Sequence, residues 1–192
     1  GKLQEQAVAF EYLKVMLSAA AATSPWMNRW GKGDPPSKSL NVLHLGLGGG
    51  TIPSLLASQQ SKLTDHIAKN TAVELDEAIA TAASTYMGLS PSVNVIVGDA
   101  SDFESWHDGQ RYDLVFVDLF DFEGQVPLVF QSAKFVADLR SKILERDGVI
   151  VANFHNVGTA EQAALKAGSQ AYKSEFADGV VLQVPARYQG NT

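Results

Sequence analysis

The chain has 192 residues, of which 45% are hydrophobic and 19% charged, a composition typical of one globular domain with a large core. Its formal net charge of −6 and its scattered Lys and Arg argue against a nucleic-acid surface, since proteins that bind phosphates usually carry basic clusters. The lack of cysteine excludes disulfides and thiolate metal sites and agrees with a cytoplasmic or other reducing compartment.

The N-terminal part is predicted to begin with one helix. Phe10, Leu13, Leu17 and Ala20 recur at helical spacing, which indicates an amphipathic helix instead of a signal segment. No apolar stretch reaches the roughly 18 residues of a membrane span. The chain begins with Gly1, so an earlier removal of a targeting segment is left open.

A connector with three Pro and two Gly follows at residues 24–39. Trp26 and Trp30 lie in this connector. We expect them to pack within it, because Trp is usually well buried, with covering of a ligand as the alternative. The chain is therefore divided into an N-terminal segment, residues 1–39, and a main domain, residues 40–192.

From residue 40 onward, strand-like runs alternate with helical patterns. The predicted strands are NVLHLGL, TAVEL, VNVIV, YDLVFVD and GVIVANF. Most are apolar on both faces, as expected for a parallel sheet covered by helices on both sides. The pattern predicts an α/β fold, a Rossmann-like doubly wound and mostly parallel sheet, with ligands at the carboxyl ends of its strands. The end of the chain, GVVLQVPARYQGNT, is predicted as a sixth strand and the turn into a seventh, so the last strand is expected to be missing.

Helices are predicted between these strands. Their sequences are TIPSLLASQQ, DEAIATAASTYM, the short SDFESWH and the long FQSAKFVADLRSKIL. Apolar residues recur at intervals of three and four positions along the long segment, which predicts a single apolar stripe. The residues of this stripe are Val129, Ala133, Val136, Leu139 and Ile143.

A glycine-rich loop joins the first of these strands to the helix that follows it. Its glycines are Gly46, Gly48, Gly49 and Gly50. They allow the backbone to bend sharply and approach a ligand, and the helix N-terminus favours an anion such as a carboxylate or phosphate. Thr51 stands where a dinucleotide fingerprint requires a third glycine. The loop therefore predicts a ligand site without defining a dinucleotide.

Carboxylates follow the second and third strands. Glu74 ends the second strand and Asp76 comes shortly after it, and a carboxylate at this place can accept hydrogen bonds from both hydroxyls of a ribose. Asp99 and Ala100 follow the third strand, where an acid can accept a hydrogen bond from the exocyclic amine of adenine. Capping of the next helix by Asp99 or Ser101 is an equally good interpretation.

The fourth strand ends at another group of acids. Asp118 directly follows its apolar residues, and Asp121 and Glu123 come soon after. Because the carboxyl ends of parallel strands share one edge of the sheet, acids from three strands are expected to converge there. Together they predict an acidic site large enough for a nucleoside.

Four features occur together in this sequence: the glycine loop, Glu74, the G-D-A run after the third strand, and the D-x-x-D pattern of Asp118 and Asp121. In this combination the chain resembles the class I S-adenosylmethionine-dependent transferases, in particular their spermidine-synthase-like branch. The resemblance extends from about residue 40 to residue 154 and is most specific at VDLFDFEGQVP and DGVIVANF. It implies that the cofactor is S-adenosylmethionine or its decarboxylated form, with the amino acid portion held by the glycine loop, the ribose by Glu74 and adenine by Asp99. It also implies that Asp118 assists the attacking amine beside the sulfonium, and that Asp121 helps to hold a cationic substrate.

The sequence departs from the aminopropyltransferases of that branch at three places. Gly49 occupies the position of the Asp in their G-G-G-D-G-G loop. This chain has Asp118-Leu119-Phe120-Asp121-Phe122 where those enzymes carry D-S-x-D-P, so bulky apolar residues enter a site that should hold a thin polyamine. Their small β-rich N-terminal domain is replaced here by the predicted helix and connector. The determinants of polyamine binding are therefore missing, while those of the shared cofactor remain.

The four histidines do not predict a metal site. His44, His66, His107 and His155 lack the helical or turn spacing of metal ligands. His44 replaces the acid that many methyltransferases have just before the glycine loop, and we expect it to be a histidine with its hydrogen bonds satisfied, either in the core or in support of the residues that contact a ligand. His155 follows the fifth strand near the site and is expected to be solvated in a loop, with contact to a substrate as the alternative.

The leading functional hypothesis is an S-adenosylmethionine-dependent methyltransferase that acts on a small amine, a protein amine or another nucleophile. One alternative is a polyamine aminopropyltransferase that uses decarboxylated S-adenosylmethionine. A second alternative is a non-catalytic nucleoside-binding module. The sequence leaves the acceptor open, and it also leaves open whether the chain forms homo-oligomers.

Overall fold

The computed structural model describes residues 11–23, 39–58, 66–154 and 159–176. The α-helices in these ranges are α1 (Glu11–Thr23), α2 (Thr51–Ala57), α3 (Glu77–Tyr86), α4 (Phe103–Trp106), α5 (Ala133–Asp138) and α6 (Thr159–Glu175). The strands are β1 (Leu40–Leu45), β2 (Ile67–Glu74), β3 (Asn94–Val97), β4 (Tyr112–Val117) and β5 (Leu144–Ala152). A 3₁₀-helix, Leu128–Gln131, precedes α5, and a π-helix, Leu139–Ile143, follows it.

The strands form one parallel sheet in the order β3-β2-β1-β4-β5. The chain crosses over helices between β1, β2 and β3, and then returns to place β4 on the other side of β1. The strand order therefore reverses between β1 and β4, which is where α/β sheets open the crevice that holds their ligands. The α/β fold class and the parallel sheet predicted from the sequence are confirmed.

The central strands bury side chains on both faces. On one face Leu43, Val115 and Val117 pack in a cluster with side chains from α4, α5 and the π-helix. On the other face Val42 and Phe116 pack in a second cluster with side chains from α1 and α2. Neighbouring residues of one strand thus enter different clusters, which explains why the strands read as continuous apolar runs.

The N-terminal helix covers the second of these faces. Leu13, Met16 and Ala20 of α1 are buried, and Leu17 is half-buried. Burial of side chains such as Leu13 and Met16 stabilises the fold by roughly 1.5–3 kcal/mol each. The predicted amphipathic helix is confirmed over the described residues, and it is part of the same core as the sheet.

The prediction of one long continuous helix before β5 is wrong. Ser132 has an extended backbone and its side chain caps α5 by accepting a hydrogen bond from the Phe135 N–H, so a new helix starts there with a new phase. Val129 and Ala133 are consequently exposed, whereas Phe130 and Phe135 are buried. The remaining predicted stripe residues are buried, and they are Val136, Leu139 and Ile143.

Some predictions lie outside the described residues. They concern Phe10, the connector with Trp26 and Trp30, His155, and the strand predicted near the end of the chain. The boundary between an N-terminal segment and a main domain also stays a prediction. Among the helices that the structure describes, none combines the length and the apolar composition needed to cross a membrane.

Candidate active site

The glycine loop lies against the end of β4. Gly46 directly follows β1 and has a φ of 90°, a conformation that L side chains rarely adopt. Its N–H donates to the Val73 carbonyl at 2.9 Å, and a Cβ built on it would lie 2.2 Å from the carbonyl oxygen of Asp118. Only glycine fits at this position. The first loop residue and the predicted catalytic acid are therefore in backbone contact.

The other loop glycines differ in their surroundings. Gly48 and Gly50 also have positive φ values, of 51° and 70°, whereas Gly49 does not. A Cβ on Gly48 would meet no atom of the described residues within 4 Å, and one on Gly49 would lie 3.3 Å from the Met87 sulfur. A ligand can therefore approach the backbone at Gly48 without displacing a protein side chain.

The Glu74 carboxylate holds this loop from the end of β2. It is 9% exposed, and its Oε2 accepts hydrogen bonds from the N–H groups of Leu47 and Gly48 at 3.0 and 3.3 Å. Its Oε1 accepts a third bond from the Asp76 N–H at 3.1 Å. A carboxylate has about four acceptor positions, so these bonds leave room for roughly one more. Contact between Glu74 and a ribose stays a prediction. The structure shows a further role, in which Glu74 holds the glycine loop in shape.

The acids after β2 and β3 both bond to nearby backbone. Asp76 is the N-cap of α3 and accepts a hydrogen bond from the Ala78 N–H at 2.7 Å. Asp99 accepts bonds from the N–H and the hydroxyl of Ser101, each at 2.8 Å. The N-cap of α4 is Asp102, so neither Asp99 nor Ser101 caps that helix as one interpretation expected. Ala100 is buried. Cofactor contacts of Asp76, Asp99 and Ala100 stay predictions.

Asp118 is held by three parts of the chain. Its N–H donates to the Leu45 carbonyl at 2.9 Å, which continues the pairing of β4 with β1. Its Oδ1 accepts a hydrogen bond from the Asn153 amide at 2.9 Å. The hydroxyl of Tyr12, on α1, also hydrogen-bonds to its carboxylate. The acid is therefore fixed in orientation at the switch point of the sheet.

Burial dominates the electrostatics of this acid. It raises the pKa of Asp118, and the hydrogen bonds from Asn153 and Tyr12 offset only part of that rise. Burial, together with the charge of Asp118 and the bond to it, raises the pKa of Tyr12 to about 12. Tyr12 therefore keeps its proton at neutral pH, and its O–H donates a hydrogen bond to the Asp118 carboxylate. The site contains a desolvated acid with two neutral donors.

Sequence reasoning missed both of these donors. Asn153 directly follows β5 and lies at the same sheet edge as the acids, so its position after a predicted strand was a usable signal. Its backbone N–H also donates to the Val117 carbonyl at 2.8 Å. Tyr12 lies on a helix far away in the sequence, and no local pattern marks it. Only the packing of α1 on the sheet brings it to Asp118.

Asp121 shapes the loop that follows β4. Its Oδ1 accepts hydrogen bonds from the N–H groups of Glu123 and Gln125 at 2.9 and 2.8 Å. The adjacent phenyl rings project outward, since Phe120 is 39% and Phe122 97% exposed. A role of Asp121 in holding a cationic substrate stays a prediction, and the observed role is to close a turn.

The described residues contain no group of three or more His, Asp or Glu side chains arranged to hold a metal ion. His44 is 2% exposed and its Nε2 lies 2.9 Å from the Asn70 Oδ1. The prediction that His44 is a satisfied core histidine is therefore confirmed.

The chain is similar to known transferases in sequence and in structure. No protein-family model matches it. Over 152 residues it is 29% identical to the polyamine aminopropyltransferase of Vibrio vulnificus, an alignment that covers 77% of this chain and 47% of that protein. Human methyltransferase-like protein 13, solved in complex with SAH, superposes with a TM-score of 0.64 at 20% identity, over 87% of this chain and 73% of that chain.

The chain has the fold of the class I S-adenosylmethionine-dependent transferases. A probable spermidine synthase from Corynebacterium glutamicum shares this fold with a TM-score of 0.59 at 23% identity, over 77% of this chain and 48% of that chain. The resemblance to class I transferases and to their spermidine-synthase-like branch, drawn from the sequence, is confirmed. The chain spans about half the length of the aminopropyltransferase and of the spermidine synthase, at 47% and 48%.

Proposed function

We propose that the chain is an S-adenosylmethionine-dependent transferase that moves a methyl group to an amine. The observation that carries this proposal is the half-buried Asp118, whose backbone contacts Gly46 of the glycine loop. A cofactor-binding loop and a proton acceptor are thus in contact at the switch point of a transferase fold. This is the placement that transfer from a bound sulfonium to an amine requires.

The residues present fit S-adenosylmethionine. The backbone at Gly48 is open to a ligand, and the Glu74 carboxylate has room for about one further donor after its three backbone bonds. In our proposal the glycine loop holds the amino acid portion, Glu74 the ribose, and Asp99 with Ala100 the adenine. When bound, this cofactor supplies an electrophilic carbon attached to a positively charged sulfur.

Asp118 is proposed as the catalytic acid-base group. An amine must lose a proton to become a nucleophile or a neutral product, and the Asp118 carboxylate accepts that proton as the N–C bond forms and the S–C bond breaks. The raised pKa of Asp118 makes it a stronger base than an exposed Asp. Tyr12 and Asn153 hold the carboxylate in place, and their hydrogen bonds favour its ionised form.

Gly49 favours the methyl group over the aminopropyl group. An acid at this position, as aminopropyltransferases carry, would repel the carboxylate of S-adenosylmethionine and tolerate the decarboxylated form. Gly49 has no positive φ, so its backbone does not require glycine. In the part of the chain that the structure describes, only the flexible end of Met87 lies within 4 Å of an added Cβ. The absence of an acid here is therefore a choice of residue and not a steric necessity.

Aminopropyl transfer is the second candidate. The 29% identity to a polyamine aminopropyltransferase favours it, as does the pair Asp118 and Asp121 at the end of β4. Phe120 and Phe122 argue against it, because two exposed phenyl rings next to these acids offer a thin polyamine few hydrogen bonds.

Calorimetry with four ligands tests the proposal. We expect the chain to bind S-adenosylmethionine and S-adenosylhomocysteine more tightly than decarboxylated S-adenosylmethionine and 5′-methylthioadenosine. Tighter binding of the latter two ligands would reverse the assignment in favour of aminopropyl transfer. Absence of binding by all four would refute both.

Substitution of Gly49 sharpens this test. Gly49→Asp should weaken S-adenosylmethionine binding by about tenfold or more while leaving the decarboxylated form little changed, because only the former carries a carboxylate. Gly49→Ala is the matched control, since it adds the same Cβ beside Met87 without a charge. Equal effects of the two substitutions on both ligands would contradict the role assigned to this position.

A further inference from the structure

A chain of buried hydrogen bonds links β1, β2 and the start of α2. His44 on β1 is 2% exposed, and its Nε2 lies 2.9 Å from the Oδ1 of Asn70 on β2. Asn70 is 7% exposed, and its Nδ2 donates to the Pro53 carbonyl at 2.8 Å. The His44 ring stacks on Phe116, with centroids 5.2 Å apart and planes 4° from parallel. Nothing in the proposed chemistry uses these groups.

The direction of these bonds follows from the chemistry of the groups. The Asn70 amide nitrogen donates to Pro53, so its carbonyl oxygen faces His44. A carbonyl oxygen only accepts, and Nε2 of His44 must therefore carry a hydrogen. Burial lowers the pKa of His44 to about 4, so the ring is a neutral donor near pH 7. The bonds run from His44 to Asn70 to Pro53.

Each linked element carries part of the candidate cofactor site. β1 leads directly into the glycine loop, and Pro53 lies in the first turn of the helix that leaves it. β2 carries Asn70 and, four residues later on the same face, Glu74, which holds the N–H groups of Leu47 and Gly48. β2 therefore holds the loop segment at two points.

An apolar pair of similar size would fill this space without the desolvation cost of a buried imidazole and amide. A fully paired polar network gains something that apolar packing does not, since its bond directions fix one relative placement of the elements. We infer that His44 and Asn70 are positioning residues, which act through Pro53 on the placement of the cofactor-binding loop. This inference rests on the proposed function of the loop.

Binding of S-adenosylhomocysteine, measured by calorimetry, tests the inference. His44→Phe keeps a planar ring against Phe116 and removes the donor, and Asn70→Leu removes both links at similar volume. Both are expected to weaken binding by about fivefold or more, as the loss of a buried hydrogen bond predicts. His44→Gln places an N–H donor where Nε2 lies and should restore affinity to within about twofold of wild type.

Ile143→Val is the control for general loss of stability. Ile143 is fully buried in the cluster on the opposite face of the sheet, so its truncation should lower the melting temperature and leave the dissociation constant unchanged. If His44→Phe does not fold, as judged by circular dichroism, the comparison of Asn70→Leu with His44→Gln carries the test.

The outcomes separate the inference from the proposed function. Binding by wild type with unchanged affinity in the folded His44→Phe and Asn70→Leu variants would overturn the inference alone. A similar loss of affinity in Ile143→Val would also overturn it, because the effect would then come from stability in general. Failure of the wild-type protein to bind S-adenosylhomocysteine would refute the proposed function, and the inference with it.

Discussion

The loop after β1 and the loop after β4 are built in different ways. In the glycine loop, backbone N–H groups are taken up by the buried Glu74, and the helix that follows is tied to β2 through Asn70. In the loop after β4, the Asp121 side chain bonds, among the residues that the structure describes, only to backbone within its own turn, and Phe122 is 97% exposed. The first loop is held by side chains of the sheet, whereas the second is held mainly by hydrogen bonds within its own turn. Such a contrast fits a constant cofactor and an acceptor chosen by side chains that project outward.

The largest effect is expected where the two loops meet, at Asp118. Asp118→Asn should lower methyl transfer by about 10²–10⁴-fold, because it removes the proposed proton acceptor. Its affinity for S-adenosylhomocysteine should stay close to wild type, measured by calorimetry beside the rate.

The stability of Asp118→Asn distinguishes a loss of catalysis from a loss of folded protein. Burial raises the pKa of Asp118, so its stabilising contribution is present at low pH and is lost as the pH rises through the folded pKa. Relative to wild type, Asp118→Asn should therefore be more stable at pH 7 than at pH 4. Full turnover in Asp118→Asn would remove this residue from the mechanism.

Substitution of Gly46 should break the contact between the loops. Gly46→Ala is expected to cost roughly 3 kcal/mol or more in free energy of unfolding, since it combines a positive φ with a collision against the Asp118 carbonyl. Gly48→Ala, with a positive φ and open space around it, should cost only about 1–2 kcal/mol. Denaturant unfolding measures both, and equal losses would mean that the close approach to Asp118 has no energetic weight.

The region around the glycine loop should lose stability in acid because of His44. Its pKa is lowered from 6.5 to about 4, so the stability it contributes is complete above about pH 6.5 and is lost as the pH falls toward 4. The loss reaches about 3 kcal/mol at most. In denaturant unfolding, the free energy of unfolding of wild type should therefore fall relative to that of His44→Gln between pH 7 and pH 4. A pH-independent difference would mean that His44 is not kept neutral by burial.

A smaller effect is expected from Tyr12. Its hydroxyl lowers the pKa of Asp118 by donating to it, so Tyr12→Phe should move the acid limb of the pH–rate profile to higher pH. The rate near neutral pH should fall by about three- to tenfold, in line with the loss of one hydrogen bond to a charged group. Tyr86→Phe is the control, because Tyr86 is 84% exposed. An unshifted acid limb would argue against the contact seen between α1 and Asp118.

The smallest effect on stability belongs to the second loop. Phe122→Ala should change the free energy of unfolding by less than about 0.5 kcal/mol, since the ring is almost fully exposed. Phe135→Ala, at a ring that is 4% exposed, should cost about 3–5 kcal/mol. A large loss in Phe122→Ala would indicate that this ring is covered in solution and would weaken the contrast between the loops.

The fold was predictable because its strands are apolar on both faces and alternate with helices. That pattern placed Glu74, Asp99 and Asp118 at strand ends, and in the structure each of them lies at the end of its strand or within two residues of it. Parallel pairing then brings strand ends to one edge without further information. Local periodicity and topology together sufficed for these residues.

Other features depend on contacts that no local pattern encodes. The apolar period predicted one helix through Ser132, but its hydroxyl caps a new helix, and Phe130 and Phe135 become the buried residues. The Tyr12 bond to Asp118 exists only because α1 docks on the sheet. The turn formed by Asp121 depends on backbone directions that residue types alone do not define.

The exposed ring of Phe122 has a practical consequence. These 192 residues contain no cysteine, so Phe122→Cys would place a single thiol in this chain, at a site that is 97% exposed. A fluorophore attached there would sit four residues from Asp118, and we expect its emission to change when an acceptor binds beside that acid. The exposed loop after β4 thus offers a labelling site for screening candidate acceptors.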